Sequence, residues 1–236
     1  VTGVQTCALP ILDRFRHGRV FFLGDAAHQV SPFGARGGNS GIQDADNLGW
    51  KLALVLNEKA PEQLLDSYDA ERGPAADENI LHSTRATDFI TPKTEMSRLF
   101  REAALSLAGD HPFARRFINS GRLSTACVQK TSPLVTADVE DFAERMCPGS
   151  AADDAPFGNG WLLPKLGGRD FTLLRFGAEI DCPLASVEAT SDEAIRRYDA
   201  RPGTAYLIRP DQHVAARWRA FDPAKIEAAI ARACAA

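Results

Sequence analysis

The hydrophobic and polar positions of the first half of the chain alternate between one short apolar run and a series of helical periods. Val20, Phe21, Phe22 and Leu23 follow Arg19 in a run bounded by glycines, and five residues between such punctuators predict a buried strand ending at Gly24-Asp25. Ser31, Pro32, Gly34, Gly37 and Gly38 then carry too much turn chemistry for a regular element. Beyond them, Ile42, Ala45, Gly49, Leu52, Ala53 and Leu56 fall on one face of a predicted amphipathic helix. The unit is therefore strand, glycine-rich loop, helix. Pro61 marks the next helix start, with Leu64, Leu65 and Tyr68 on one face. Pro74 is expected to interrupt it, with a further helix from Ala75 to Phe89 and Pro92 closing the segment. Helical periods continue over Met96 to Leu107, through Leu99, Phe100, Ala103 and Leu105, and again at Phe113, Phe117 and Ile118.

The pattern changes after position 130. Residues 131–159 hold prolines, glycines and a cluster of acids, which is linker composition and predicts a domain boundary. The runs at 171–176, 183–189, 204–210 and 213–221 then read as strands, with a short helix around Asp192 to Tyr198 and a last one from Pro223 to Cys234. Pro210-Asp211-Gln212 is a hairpin turn between the last two strands.

Composition narrows the function classes. The 236 residues are 44% apolar and carry a net charge of −4, ordinary values for a soluble globular chain of one large or two small domains. There is no basic patch interleaved with aromatics, so nucleic acid is not an expected partner. No run reaches the roughly 18 to 20 apolar residues that span a bilayer and no signal-peptide pattern opens the chain, so no membrane partner and a cytoplasmic setting are expected. Cys7, Cys127, Cys147, Cys182 and Cys234 show neither CxxC nor metal-ligand spacing, which predicts free thiols and no metal site. His82 lacks a metal-spaced partner and reads as part of a solvated helix face with Glu78 and Arg85, as do Arg115 and Arg116 on theirs.

A strand, a glycine loop and a helix start present backbone N–H groups and a positive dipole end, which suits an anion or a polarised carbonyl. Asp25 adds an acceptor suited to a ribose or ribityl hydroxyl. From spacing alone, Asp25 serves equally well as a turn cap, and the glycines as tight geometry.

The segment GDAAH followed by SPFGARGGNSGIQDADNLGWKLALVL resembles, over some forty residues without a gap, the second flavin-binding motif of class A FAD-dependent aromatic hydroxylases. The resemblance implies that Gly24-Asp25 meets the ribose part of FAD and that Pro32 lies beside the isoalloxazine ring. It implies that backbone amides at the helix start, around Gly37, Gly38 and Asn39, face the flavin pyrimidine carbonyl. Phe33 and Gly34 would border the substrate face. Tyr68 and Arg72 resemble a YxxER feature that is structural in that family. The order of strands, closing hairpin and final helix over 160–236 resembles the thioredoxin-like domain appended to phenol-hydroxylase-type members, although Cys182 lacks the resolving partner that redox chemistry needs.

The expected fold is therefore α/β: the C-terminal part of a Rossmann-type FAD-binding hydroxylase domain over 12–130, a linker over 131–159 and a thioredoxin-like α/β domain over 160–236. Residues 1–11 read as a foreign or unstructured start, and the missing GxGxxG unit makes the chain look like the C-terminal portion of a longer protein. The activity implied is an FAD-dependent monooxygenase that consumes NAD(P)H and molecular oxygen and hydroxylates a phenol or hydroxybenzoate-like ring. No residue is assigned as catalytic acid, base or nucleophile. Family habit implies a homodimer with the tail domain as its interface. The alternative is a non-catalytic remnant that does not retain FAD by itself.

Overall fold

A computed structural model describes residues 11–30, 36–118, 126–177 and 183–235. The chain divides into two compact units, one comprising Val1–Ala45 with Arg72–Thr125 and the other Asp46–Glu71 with Ala126–Ala236. Cys7, Pro32, Phe33, Gly34 and Cys182 lie outside the described residues.

In the first unit a two-residue hairpin pairs β1, Arg16–His17, with β2, Val20–Phe21, around Gly18 at a φ of +61°. The expected buried strand is thus a short ribbon: Val20 is 55% exposed, because two residues paired on one edge offer no second layer to cover them. The helix α1, Gly37–Leu56, begins where the glycine-rich turn predicted it. Its buried face is not the expected one. Ile42 and Leu56 are 69% and 77% exposed, whereas Ser40, Asp44, Asn47 and Lys51, spaced four, three and four apart, are buried. The helical period was legible; the assignment of apolar to inside was not.

The helix α2, Ser67–Ile90, runs unbroken through Pro74. A proline there removes only its own bond to the Ala70 carbonyl, and the flanking Ala75 and Ala76 are completely buried. A 3₁₀ turn, Glu62–Asp66, precedes it and buries Leu64 and Leu65; Tyr68 is likewise buried. Helices α3, Glu95–Asp110, and α4, Pro112–Ile118, follow. Thr94 caps α3 by accepting the Ser97 N–H, and Arg115 donates to the Ala108 carbonyl at its far end. Their larger apolar residues, Met96, Leu99, Phe100 and Phe113, are exposed.

The second unit is built on a four-stranded sheet. Its strands are β5, Thr172–Arg175, β6, Ala185–Glu188, β7, Ala205–Ile208, and β8, Val214–Trp218, in the order β6-β5-β7-β8. A small hairpin of β3, Pro156–Phe157, and β4, Gly160–Trp161, precedes them. Strands β5 and β6 are parallel and the other pairings of this sheet antiparallel. Alternation sends Leu173 and Leu207 to one face and Leu174, Tyr206 and Ile208 to the other. The first face is covered by α6, Pro223–Ala233, through Ile226, Ala229 and Ala233, and by Trp50 and Leu64. The second is covered by α5, Asp192–Arg197, with Ala194 and Tyr198. A bulge opposite Leu207 and Ile208 lets Ala215 and Ala216 share one face.

Residues 131–159, read as linker from composition, pack closely within this unit. Ser132, Leu134, Met146 and Ala155 are buried. Arg217 of β8 donates to both oxygens of Asp138 and to the carbonyls of Ala143 and Arg145. Asp138, one of the acids of this stretch, is thus an ion-pair partner of β8, which composition cannot show.

A completely buried charge cluster lies in the same unit. Glu71 accepts from Arg209 Nη1 at 2.5 Å and Nη2 at 3.0 Å, from Lys51 Nζ at 2.7 Å and from Asn47 Nδ2 at 2.7 Å, and Ser132 also donates to it. Arg209 donates in addition to Asp211, at 2.9 and 2.5 Å, from the β7–β8 turn. Burial pushes the Glu71 and Asp211 carboxyls up, but Arg209, with Lys51 beside Glu71, outweighs it and holds both well below the usual range. Burial pushes the Lys51 ammonium down to about 8 against the pull of Glu71. Two cations and two anions leave the cluster balanced, which is the condition for burying it.

The sign of the pH dependence follows from the carboxylates. Their folded values lie below the unfolded ones of 4.5 and 3.8, so the stability they confer is complete above about pH 4.5 and drains away below it. The urea midpoint is expected to fall as the pH drops from about 5 to 3. Glu71→Gln is expected to lose about 3–5 kcal/mol at pH 7 and to show a shallower acid fall, and acid curves parallel to the wild type would contradict this.

Candidate functional site

The site lies in the first unit, where the turn after β2 meets the first turns of α1. Phe22 N–H bonds back to the Phe15 carbonyl at 2.8 Å, which closes the hairpin and delivers the chain to Gly24. Gly24 adopts a φ of +54° and opens a 3₁₀ turn, Gly24–Ala26, whose Gly24 carbonyl accepts from Ala27 and His28. A side chain at position 24 would be strained by that φ. Across from it, a Cβ on Gly41 would stand 3.3 Å from Gly24 Cα, so the turn rests directly on the helix backbone. Either glycine replaced by a larger residue would push the two apart.

One carboxylate holds this contact. Asp44, buried on the third turn of the helix, accepts from Gly24 N–H at 2.9 Å, from His28 Nε2 at 2.7 Å and from Arg72 Nε at 2.7 Å. Burial pushes its carboxyl up, but the His28 bond, the Arg72 charge and the Gly24 amide together hold it below the usual range. A carboxylate can only accept, so His28 carries its proton on Nε2. His28 itself is buried against Phe15, with ring centroids 5.5 Å apart. Its Nδ1 is buried with no partner among the described residues. Around this centre, Asn79 links Arg36, whose Nη1 it accepts at 3.2 Å, to Ser40.

The residues singled out from sequence take the following places. Gly24 and Asp25 form the turn, and Asp25 is exposed. Gly37, Gly38 and Asn39 are the first three residues of α1, and helix geometry aims their amide N–H groups off its N-terminal end. The Gly24–Gly41 contact brings these two sets to the same end of the helix. Pro32 lies outside the described residues. His82 lies 3.6 Å from Glu78, and no cluster able to hold a metal exists among the described residues. Cys147 and Cys234 are free thiols. No helix among the described residues is long and apolar enough to cross a membrane.

Sequence reasoning missed His28 and Asp44 as a pair and Arg72 as their partner. The available signal was a polar stripe at helical period, Ser40, Asp44, Asn47 and Lys51, which the usual rule assigns to solvent. Tyr68 and Arg72 are buried structural residues, as the YxxER resemblance implies.

The donor set fits a flavin dinucleotide. Asp25 is exposed, as are Gly38 and Asn39 at the helix start, and nothing lies within 4 Å of where a Cβ of Gly38 would be. An anion or polarised carbonyl gains there from the helix dipole. Replacing Asp44 with Asn is expected to strand the Arg72 guanidinium in the interior and to lower stability by about 3–5 kcal/mol in urea denaturation. A loss below about 1 kcal/mol would show that Asp44 does not hold this contact.

Comparison with known proteins places these residues in a family. Residues 6–83 match the family described as FAD binding domain. Rifampicin monooxygenase of Streptomyces venezuelae is 58% identical over 86% of this chain and 40% of its own length. 4-Methyl-5-nitrocatechol 5-monooxygenase of a Burkholderia species is 32% identical over 91% of this chain and 42% of its own. The crystal structure of the flavin-dependent monooxygenase PieE in complex with FAD and substrate superposes with a TM-score of 0.72 at 25% identity, covering 95% of this chain and 49% of that one. The chain spans about two-fifths of the length of these curated relatives. Residues 6–83 thus carry an FAD binding domain, and over most of its length the chain is similar to part of flavin-dependent monooxygenases.

Proposed function

We propose that this chain forms part of an FAD-dependent, NAD(P)H-consuming monooxygenase that hydroxylates an aromatic ring of phenol or hydroxybenzoate type. The observation that carries the reading is the packing of the Gly24–Asp25 turn on Gly41, which sets an exposed carboxylate beside the N-terminal end of α1. Asp25 would accept a hydrogen bond from a ribose hydroxyl of the cofactor. The amides of Gly37, Gly38 and Asn39 would face the flavin pyrimidine carbonyl, where the helix dipole offsets negative charge. Pro32 would border the ring. When bound, FAD supplies the redox chemistry that couples NAD(P)H and molecular oxygen to ring hydroxylation. The contribution of this chain is to bind and orient, with Asp44, His28 and Arg72 keeping the cradle rigid. No side chain here is assigned a proton transfer.

The division into a flavin-domain portion over 12–130 and a thioredoxin-like module over 160–236 belongs to the same proposal, as do a homodimer and a cytoplasmic setting. The 58% identity to rifampicin monooxygenase makes rifampicin the first substrate to assay.

The test is cofactor retention. The purified chain is incubated with FAD, desalted and examined for visible flavin absorbance, alongside Asp25→Ala. The variant is expected to bind about tenfold to a hundredfold more weakly, the worth of one hydrogen bond to a charged group. Unchanged retention in Asp25→Ala would remove Asp25 from the site, and a wild-type chain that stays colourless would favour the non-retaining remnant.

A further inference from the structure

We propose that the second unit carries a binding pocket for a single-ring aromatic carboxylate, seated beyond the carboxyl ends of β5 and β6 with Arg201 as its anion contact. The inference goes beyond the flavin reading and uses only contacts within this unit.

The two strands run parallel, and in open α/β sheets ligands bind in the crevice outside the carboxyl ends of such strands. Here that crevice is a cavity of about 220 Å³. Phe176 follows β5 into it, Ala189 follows β6, and Ile195 of α5 with Ala200 and Pro202 supplies the rest of an apolar wall. An apolar cavity of about 150 Å³ is enough to hold benzene, so this one has room for one ring and a small substituent.

The wall is already set by the chain's own contacts. Phe176 is buried, its ring 5.8 Å from that of Tyr198 and 6.3 Å from that of Tyr206. Its N–H donates to the Thr204 carbonyl at 3.0 Å and its carbonyl accepts from Gly203 at 2.8 Å, while Ala189 N–H donates to the Arg175 carbonyl at 3.0 Å. Gly177 adopts a φ of +63°, and a Cβ there would stand 3.6 Å from Pro202 Cα, so two backbones meet at one side of the cavity. Ile195 is nonetheless 39% exposed, an apolar surface that a bound ring would remove from water.

Arg201 decides the charge of the ligand. Its N–H donates to Thr204 Oγ1 and its carbonyl accepts from Thr204 N–H, both at 2.9 Å, and Thr204 is completely buried, so the residue is anchored at the rim. Its guanidinium makes no hydrogen bond or ion pair among the described residues. The neighbouring acids are engaged elsewhere. Glu188, on the same cavity, pairs with Arg175 at 3.0 Å. Asp199, which senses the Arg201 charge, pairs with Arg219 and accepts the Ala143 amide at 3.0 Å. Among the described residues Arg201 is therefore the cation left uncommitted at the mouth of this cavity. A guanidinium takes both oxygens of a carboxylate through two parallel N–H bonds, and the apolar wall behind it takes the ring.

The test titrates benzoate and its neutral counterpart benzamide into the isotope-labelled full chain, with backbone amide shifts read by NMR. Benzoate is expected to give saturable shifts centred on Phe176, Gly177, Ala189 and Thr190 with a Kd of about 1 mM, the range open to so small a ligand. Benzamide is expected to bind about fivefold more weakly, the worth of a solvent-accessible ion pair. Arg201→Gln leaves the backbone bonds to Thr204 in place and is expected to abolish that preference, and Arg201→Lys to recover part of it. Benzoate shifts that grow without saturating, or that centre outside this cavity, would overturn the proposal. So would equal affinity for benzamide, or an undiminished preference in Arg201→Gln. None of these readings needs bound flavin, so a colourless chain would count against the proposed function and leave this result standing.

Discussion

Everything proposed for the site depends on one buried carboxylate. Asp44 stands inside the first unit because three donors converge on it, the Gly24 amide, the His28 imidazole and the Arg72 guanidinium. An isolated carboxylate at that position would be driven to its neutral form by the lack of solvent. With its partners it remains charged, and in return it ties a hairpin turn, a helix and a second helix to a single point. The exposed groups that could meet a cofactor, Asp25 and the start of α1, carry none of this load. That separation suits binding: the groups that touch a ligand are spared the work of holding the backbone, and the groups that hold it are shielded from water.

The second cluster repeats the principle with four charges. Glu71, Arg209, Lys51 and Asp211 cancel, and every polar contact among them is short. Clusters of this kind add little net stability over a well-packed apolar core, since desolvation consumes most of the attraction. They do penalise any arrangement in which one partner is misplaced.

The sheet of the second unit shows how far local pattern carries. Its four strands, its two helices and its turn at Pro210–Gln212 fall where alternation, caps and punctuation put them. Ser191 and Asp222 cap α5 and α6 with their own side chains, which is why those helix starts were plain in the sequence. Strand β1, Arg16–His17, was not, and β2 was read as buried, because a ribbon with no covering layer lacks the alternation that marks a half-buried strand.

Sequence by itself determined the succession of strands and helices after position 160 and the likeness of Gly24 to Leu56 to a flavin-binding motif. Each of these depends on spacing along the chain, and spacing is what a sequence states outright. Tertiary structure alone decided that Ser40, Asp44, Asn47 and Lys51 face inward while Ile42 and Leu56 face out, that Pro74 leaves α2 whole, and that Asp138 pairs with Arg217 of β8. The physical reason is common to the first and the last. A polar group is stable in the interior only when partners distant in sequence reach it, and Asp44 needs Gly24 and Arg72 from twenty residues before it and twenty-eight after.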